Sequence, residues 1–192
     1  ELEQLWTHSI AVAHAARHLS RSRHYDHPQT AYLAGLLHNT GLLAIAHVVP
    51  EAVSELLGQT EPPTGWLVAE HERFGNTHTN IANQLAKRWS LPQWLHEVLW
   101  WHHQADEGLP PNLSDLALVE LVREADSLVS QSEFALGRPV DSKSWGLPWK
   151  SDDALAAAVS RGVRQAARLF HDHPLKASPE DPKQSVTRAV EL

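Results

Sequence analysis

The 192-residue sequence contains no cysteine, which excludes disulfides, thiolate metal sites and cysteine nucleophiles and fits a cytoplasmic location. It contains no methionine either, so residue 1 is not a natural start and the expectation is a piece of a longer chain. No apolar stretch reaches the roughly 18 residues of a membrane span, and Glu1-Leu2-Glu3 lacks the basic leader of a signal peptide. Basic residues are in the minority: 16 Lys and Arg against 23 Asp and Glu leave a formal charge of −7. A duplex-binding domain carries a basic surface, so neither nucleic acid nor a membrane is an expected partner. Glycine-rich phosphate loops, Ser-His-Asp signatures and zinc-finger spacings are also missing.

Histidine, by contrast, is abundant: 14 of 192 residues, about 7%. It is the commonest metal ligand and the usual acid or base near neutral pH. Apolar residues make up 42%, enough for the core of one domain or at most two small ones.

The patterning is helical nearly throughout, and no segment alternates as a half-buried strand does. The fold class is therefore all-α. Residues 2–23 read as one helix, with Leu5, Val12, Ala16 and Leu19 on one stripe. A turn from His24 to Pro28 ends it, and helices follow over 29–39, over 42–48 and from Pro50 to Gly58. A short helix over 66–73 stops at Phe74-Gly75-Asn76. Asn76 or Thr77 caps the next helix, 78–89. Pro92 suits the first position of a helix through His103, and Asn112 or Ser114 suits the cap of one running to about Ser130. These elements give a helical domain over residues 1–131. An irregular connector over 132–150, a C-terminal helix over 151–171 and a polar, disordered tail over 172–192 complete the expected organisation.

Sorting the histidines by helical face leaves a small inward set. His8 shares a stripe with Val12, Ala15 and Leu19; His38 lies with Ala31 and Ala34; His78 with Ile81, Leu85 and Trp89. His102 follows Leu95 and Val98 on the last turn of its helix, with His103 beside it, and Asp126 is one acid inside an apolar face. Imidazoles and a carboxylate converging from facing helices are how a bundle builds a metal site. Each residue taken singly reads more readily as a hydrogen-bonded core group than as a ligand. His14 and His18 fall on other faces and join Arg17, Arg21 and Arg23 as a solvated basic side. Of the adjacent Trp100 and Trp101, about 100° apart on a helix, one is expected inward and one outward. Arg161, Arg164 and Arg168 lie opposite the apolar stripe of the last helix, which is expected to dock on the bundle.

The strings Leu5-Trp6-Thr7-His8-Ser9-Ile10-Ala11-Val12-Ala13 and Leu33-Ala34-Gly35-Leu36-Leu37-His38-Asn39-Thr40-Gly41 resemble the second half of the HDOD domain, the HD-related output domain of bacterial signalling proteins. So do Glu70 to Phe74-Gly75-x-x-His78, Trp89-Ser90-Leu91-Pro92 and His102-His103, in matching order over residues 5–130. The family's N-terminal helical half is expected to lie outside this chain. The resemblance implies an HD-superfamily-like helical bundle, similar to metal-dependent phosphohydrolases and to the HD-GYP phosphodiesterases. The metal-site positions it implies here are His8, His38 with Asn39, His78, His102 with His103, and Asp126.

Three features depart from the catalytic pattern. Asn39 stands where active members have Asp, Leu42 where HD-GYP members have Lys, and Gln104-Ala-Asp-Glu-Gly-Leu-Pro where their Gly-Tyr-Pro signature would be. An Asn carbonyl is neutral and coordinates more weakly than a carboxylate. The resemblance therefore implies a non-catalytic signalling module with a degenerate site, working through protein partners or neighbouring signalling domains, with no required cofactor and homodimerisation left open. One alternative is a metal-dependent phosphohydrolase acting on a nucleotide or cyclic dinucleotide. There His8, His38, His78, His102 and Asp126 would hold the divalent metal. Another is a sensor that binds a nucleotide in the same pocket without turnover.

Overall fold

The structure is a computed structural model that describes residues 2–58, 63–132, 134–136 and 152–172. All regular structure among the described residues is helical. The helices are α1 (Leu2–Ser22), α2 (Pro28–Leu37), α3 (Thr40–Val48), α4 (Pro50–Leu57), α5 (Pro63–Phe74), α6 (His78–Arg88), α7 (Gln93–Trp101), α8 (Leu116–Ser130) and α9 (Asp153–Asp172), with one 3₁₀ turn at Asp106–Gly108.

Local chemistry sets most of the boundaries. Pro28 and Pro50 open α2 and α4, where a missing N–H leaves no helical bond unmade. His24, at a φ of 56°, turns the chain after α1. At α6 the cap is Thr77, the second of the two expected: its hydroxyl accepts from the Asn80 N–H, while the Asn76 side-chain Oδ1 accepts from the Thr77 N–H and from Asn80 Nδ2. Two expectations are corrected. Pro92 is extended, with ψ at 149°, and precedes α7 rather than opening it; α7 ends at Trp101, leaving His102 as its C-cap. The cap of α8 is Asp115, whose carboxylate accepts from the Leu118 N–H, and not Asn112 or Ser114.

Three apolar clusters share the interior. The largest joins α1, α2, α7, α8 and α9 through residues such as Val12, Ala16, Ala31, Val98, Val122 and Val159. A second gathers Leu5, Leu42, Leu56 and Trp66 from α1, α3, α4 and α5. The third, Ala82, Ala86, Leu95 and Leu99, pairs α6 with α7. Each fully buried Leu contributes about 1.5–3 kcal/mol relative to exposure, set against the entropy of ordering it. α3 approaches α6 so closely that a Cβ at Gly41 would collide with the His78 carbonyl. As expected for an apolar stripe, α9 docks on α1, burying Leu155 and Val159. It covers the side of α1 that carries His14, so this side is not the solvated face expected from periodicity.

One stretch, Pro28–Val48, is long and apolar enough to cross a membrane by length and composition, which corrects the expectation that none reaches that length. It is interrupted between α2 and α3 at His38-Asn39, and half of its most apolar window is buried in the bundle. Of the connector expected over 132–150, residues 133 and 137–150 lie outside the described residues, as do residues 173–192 of the tail expected over 172–192.

Candidate metal centre

The inward residues meet where helix ends converge. His8 comes from the middle of α1 and Asp126 from α8. His38 caps α2, Asn39 precedes α3, His78 opens α6, and His102 caps α7 with His103 following. His8, His38, His78 and His102 are at most 2% exposed and Asp126 is 6% exposed. Their ligand atoms form two adjoining triads, His8–His38–Asp126 and His78–His102–His103, within each of which the atoms lie within 4.8 Å of one another. The rings of His38 and His102, 5.2 Å apart, connect the two. All the candidate site residues named from sequence except Asn39 thus fall into one of these two groups. Asn39 is buried and its Oδ1 has no hydrogen-bond partner.

Hydrogen bonds fix which nitrogen of each ring faces inward. His38 Nδ1–H donates to the Gly35 carbonyl at 2.7 Å, and His102 Nδ1–H donates to the Val98 carbonyl at 3.0 Å. His78 Nδ1–H donates to the Glu70 carboxylate at 2.8 Å, and the His78 N–H donates to the same carboxylate at 2.8 Å. A carbonyl or carboxylate can only accept, so each Nδ1 carries a hydrogen, and the neutral form of each ring presents a lone pair at Nε2. Those three Nε2 atoms are buried without a hydrogen-bond partner. A buried polar atom left unpaired costs about 1–3 kcal/mol. An Nδ1–H anchored on a carbonyl or carboxylate, with a bare Nε2, is the state in which imidazole binds a metal.

His8 carries a related signal. Its Nδ1–H donates to the Phe134 carbonyl at 2.9 Å while its Nε2 lies 3.0 Å from Asp126 Oδ1. That second contact requires either a second hydrogen on the ring or a cation between the two atoms. Asp126 also lies 3.7 Å from His38 Nε2 and 3.9 Å from His103 Nδ1. Burial alone would raise the Asp126 pKa, but the His38 and His8 imidazoles outweigh it and hold the carboxyl well below its usual range. The adjacent His102 and His103 move the other way. Burial, followed by the neighbouring histidines, pushes His102 well below its usual range and His103 down to about 3. The centre therefore presents neutral imidazoles at His102 and His103 and an ionised carboxylate at Asp126, which are the protonation states that ligate. The donor set fits a divalent cation, with His8, His38 and Asp126 able to hold one and His78, His102 and His103 another. Such a cation would supply Lewis acidity. Four of these five imidazoles are nearly closed to solvent, and a nitrogen-rich set suits Zn²⁺ or Ni²⁺ better than Mg²⁺.

Two contributors escape a reading by histidine. Glu70, fully buried on α5, orients His78; the available signal is its place one turn after the buried Trp66. The Phe134 carbonyl comes from a segment expected to be irregular, and no side-chain pattern marks it. Leu42 packs in the apolar interior and so gives the centre no cation for a phosphate. Trp100 is 37% exposed, while Trp101 packs against the core.

The HDOD domain family matches residues 1–105 of the chain. An uncharacterized protein of Treponema pallidum (strain Nichols) is 28% identical over 129 residues, covering 63% of this chain but only 25% of the Treponema protein. An HDOD domain protein of unknown function from Geobacter sulfurreducens superposes with a TM-score of 0.61 at 25% identity, over 98% of this chain and 58% of that one. The MmoQ response regulator of Methylococcus capsulatus str. Bath shares the fold, with a TM-score of 0.56 at 24% identity over 88% of this chain and 62% of its own. The family match stops short of Asp126, which α8 nevertheless brings to His8. With the family match covering more than half its length, the all-helical chain belongs to the HDOD domain family.

Proposed function

We propose that the chain is a non-catalytic regulatory module of cytoplasmic signal transduction, working through contacts with protein partners or with neighbouring signalling domains. The observation that carries this reading is Asn39. It sits buried beside His38 with its Oδ1 unpartnered, where a hydrolase of this superfamily is expected to place a charged, bridging carboxylate. Without that charge, Asp126 is the one acid in either triad, and a pair of divalent cations with an incoming phosphate loses much of its electrostatic balance. The buried Leu42 supports the same reading, since it supplies no cation to a substrate. The three bare Nε2 atoms favour a second role for the cluster: tightly held transition-metal ions, one tying α1, α2 and α8 and another tying α6 and α7, that stabilise the folded module.

A phosphodiesterase assay with Mn²⁺, using a chromogenic phosphodiester and a cyclic dinucleotide, tests the first reading. No turnover above that of the His38→Ala variant is expected. Turnover that His38→Ala abolishes overturns the non-catalytic assignment. Dialysis against Zn²⁺ followed by elemental analysis tests the second, with bound metal in the wild type and its loss in His38→Ala as the expected result.

A further inference from the structure

On the opposite side of α1 from the histidine centre, α1 and α9 enclose a cleft of about 250 Å³. Arg17, Arg21 and Arg161 line it together with His14, Gly162 and Gln165. Among the described residues none of these three arginines has a carboxylate partner, although the chain as a whole carries −7. Concentrating unpaired cations in a concave site of an acidic protein costs self-repulsion, which an anion relieves. Arg17 is held in place by the Tyr32 ring, 5.0 Å from its centroid, and by a hydrogen bond of 3.1 Å to His14 Nδ1. His14 Nδ1 accepts that bond, so the hydrogen of the neutral ring sits on Nε2, which faces Gly162 of α9. Burial, and then the Arg17 charge, lower the His14 pKa, in keeping with this neutral form. Gly162 leaves room for the imidazole, because a Cβ there would collide with it. The nearby acid at the rim, Asp152, is 3.5 Å from His18 and caps α9 by accepting from the Leu155 N–H.

We propose that this cleft binds the diphosphate group of a small molecule, with Arg17, Arg21 and Arg161 meeting its charge, Gln165 donating a further hydrogen bond, and the ligand clamping α9 onto α1. Guanidinium forks match phosphate oxygens two at a time. The volume, below the roughly 300 Å³ at which drug-sized sites begin, suits a diphosphate with its nearest substituent rather than a whole dinucleotide. α9, with Arg161 and Gln165, lies beyond the region matched by the HDOD family, whereas His14, Arg17 and Arg21 lie within it. The proposal does not depend on the histidine centre.

Calorimetry on the full chain, in chelator to remove metal, tests it with pyrophosphate, a nucleoside diphosphate and sulfate. Pyrophosphate and the nucleoside diphosphate are expected to bind, both more weakly as salt rises, and to raise the unfolding temperature. The doubly substituted Arg21→Glu, Arg161→Glu chain alters two exposed side chains, so it is expected to keep its own unfolding temperature and to bind pyrophosphate at least about tenfold more weakly, the equivalent of about 1.4 kcal/mol. His38→Ala is expected to bind pyrophosphate as the wild type does. The assignment is overturned if pyrophosphate and the nucleoside diphosphate fail to bind at millimolar concentration. It is equally overturned if sulfate binds as tightly as pyrophosphate, or if the double substitution leaves affinity unchanged.

Discussion

Asn39 differs from the carboxylate expected at its place by one amide nitrogen, and the centre feels that difference as a missing charge. Its Oδ1 is buried and unpartnered, next in sequence to a histidine whose Nε2 is also unpartnered. Restoring the acid adds a hard, anionic ligand beside the soft imidazoles. Asn39→Asp is expected to raise Mn²⁺ affinity by about tenfold or more, or about 1.4 kcal/mol, read by calorimetry on the metal-free protein. In the absence of metal the same variant buries an unpaired carboxylate where the Asn39 Oδ1 has no hydrogen-bond partner, and its unfolding midpoint is expected to fall. Unchanged affinity would mean that Asn39 stands outside the ligand set.

At the scale of elements, the junction of α7 with α8 depends on a carboxylate that apolar periodicity does not reveal. Glu97 is 6% exposed on α7 and accepts from the Ser114 N–H, the Ser114 hydroxyl and the Asp115 N–H, while Gln93 donates to its other oxygen at 3.0 Å. It thereby ties down the segment from which Asp115 caps α8, and Tyr25 donates to Asp115 from the turn between α1 and α2. Burial would raise the Glu97 pKa, but the bonds from Ser114, Gln93 and Asp115 outweigh it and lower it below 4.5. The stability this depressed group contributes is present above its unfolded pKa and is lost as pH falls through the folded value. Glu97→Gln is therefore expected to cost about 1–3 kcal/mol near neutral pH, and much less at an acidic pH below the folded value. Urea unfolding at both pH values checks it, and an equal cost at the two would show that the charge is not what holds the junction.

At the scale of the molecule, the centre depends on how closely whole helices approach. His78 reaches the cluster because α6 lies against α3, and that approach rests on the missing side chain at Gly41. Gly41→Ala places a methyl group against the His78 carbonyl, and overpacking of this kind costs about 1–3 kcal/mol. For a chain of this size each kcal/mol lowers the melting temperature by about 2–4 °C. The variant is expected to melt lower and to bind Zn²⁺ more weakly than the wild type, because the two triads no longer share one frame. A melting temperature equal to the wild type's would show that α3 and α6 have slack between them.

What the sequence by itself determined is mostly local. Pro28, Pro50 and Thr77 act on their own backbone neighbours, so helix starts follow from short-range rules. Periodicity also separated His8, His38, His78, His102 and Asp126 from the histidines of turns, because a 3.6-residue period records which side of a helix is apolar. It does not record which helix lies opposite. Only the tertiary structure divided the cluster into two triads, recruited the Phe134 carbonyl to a ring 126 positions away, and set Glu70 behind His78. Only packing moved His14 from an expected solvated face to the wall of a cleft beneath α9. The physical reason is the same in each case. A side chain's own helix fixes its direction through local geometry, whereas its partner is fixed by close packing between segments that the sequence keeps far apart.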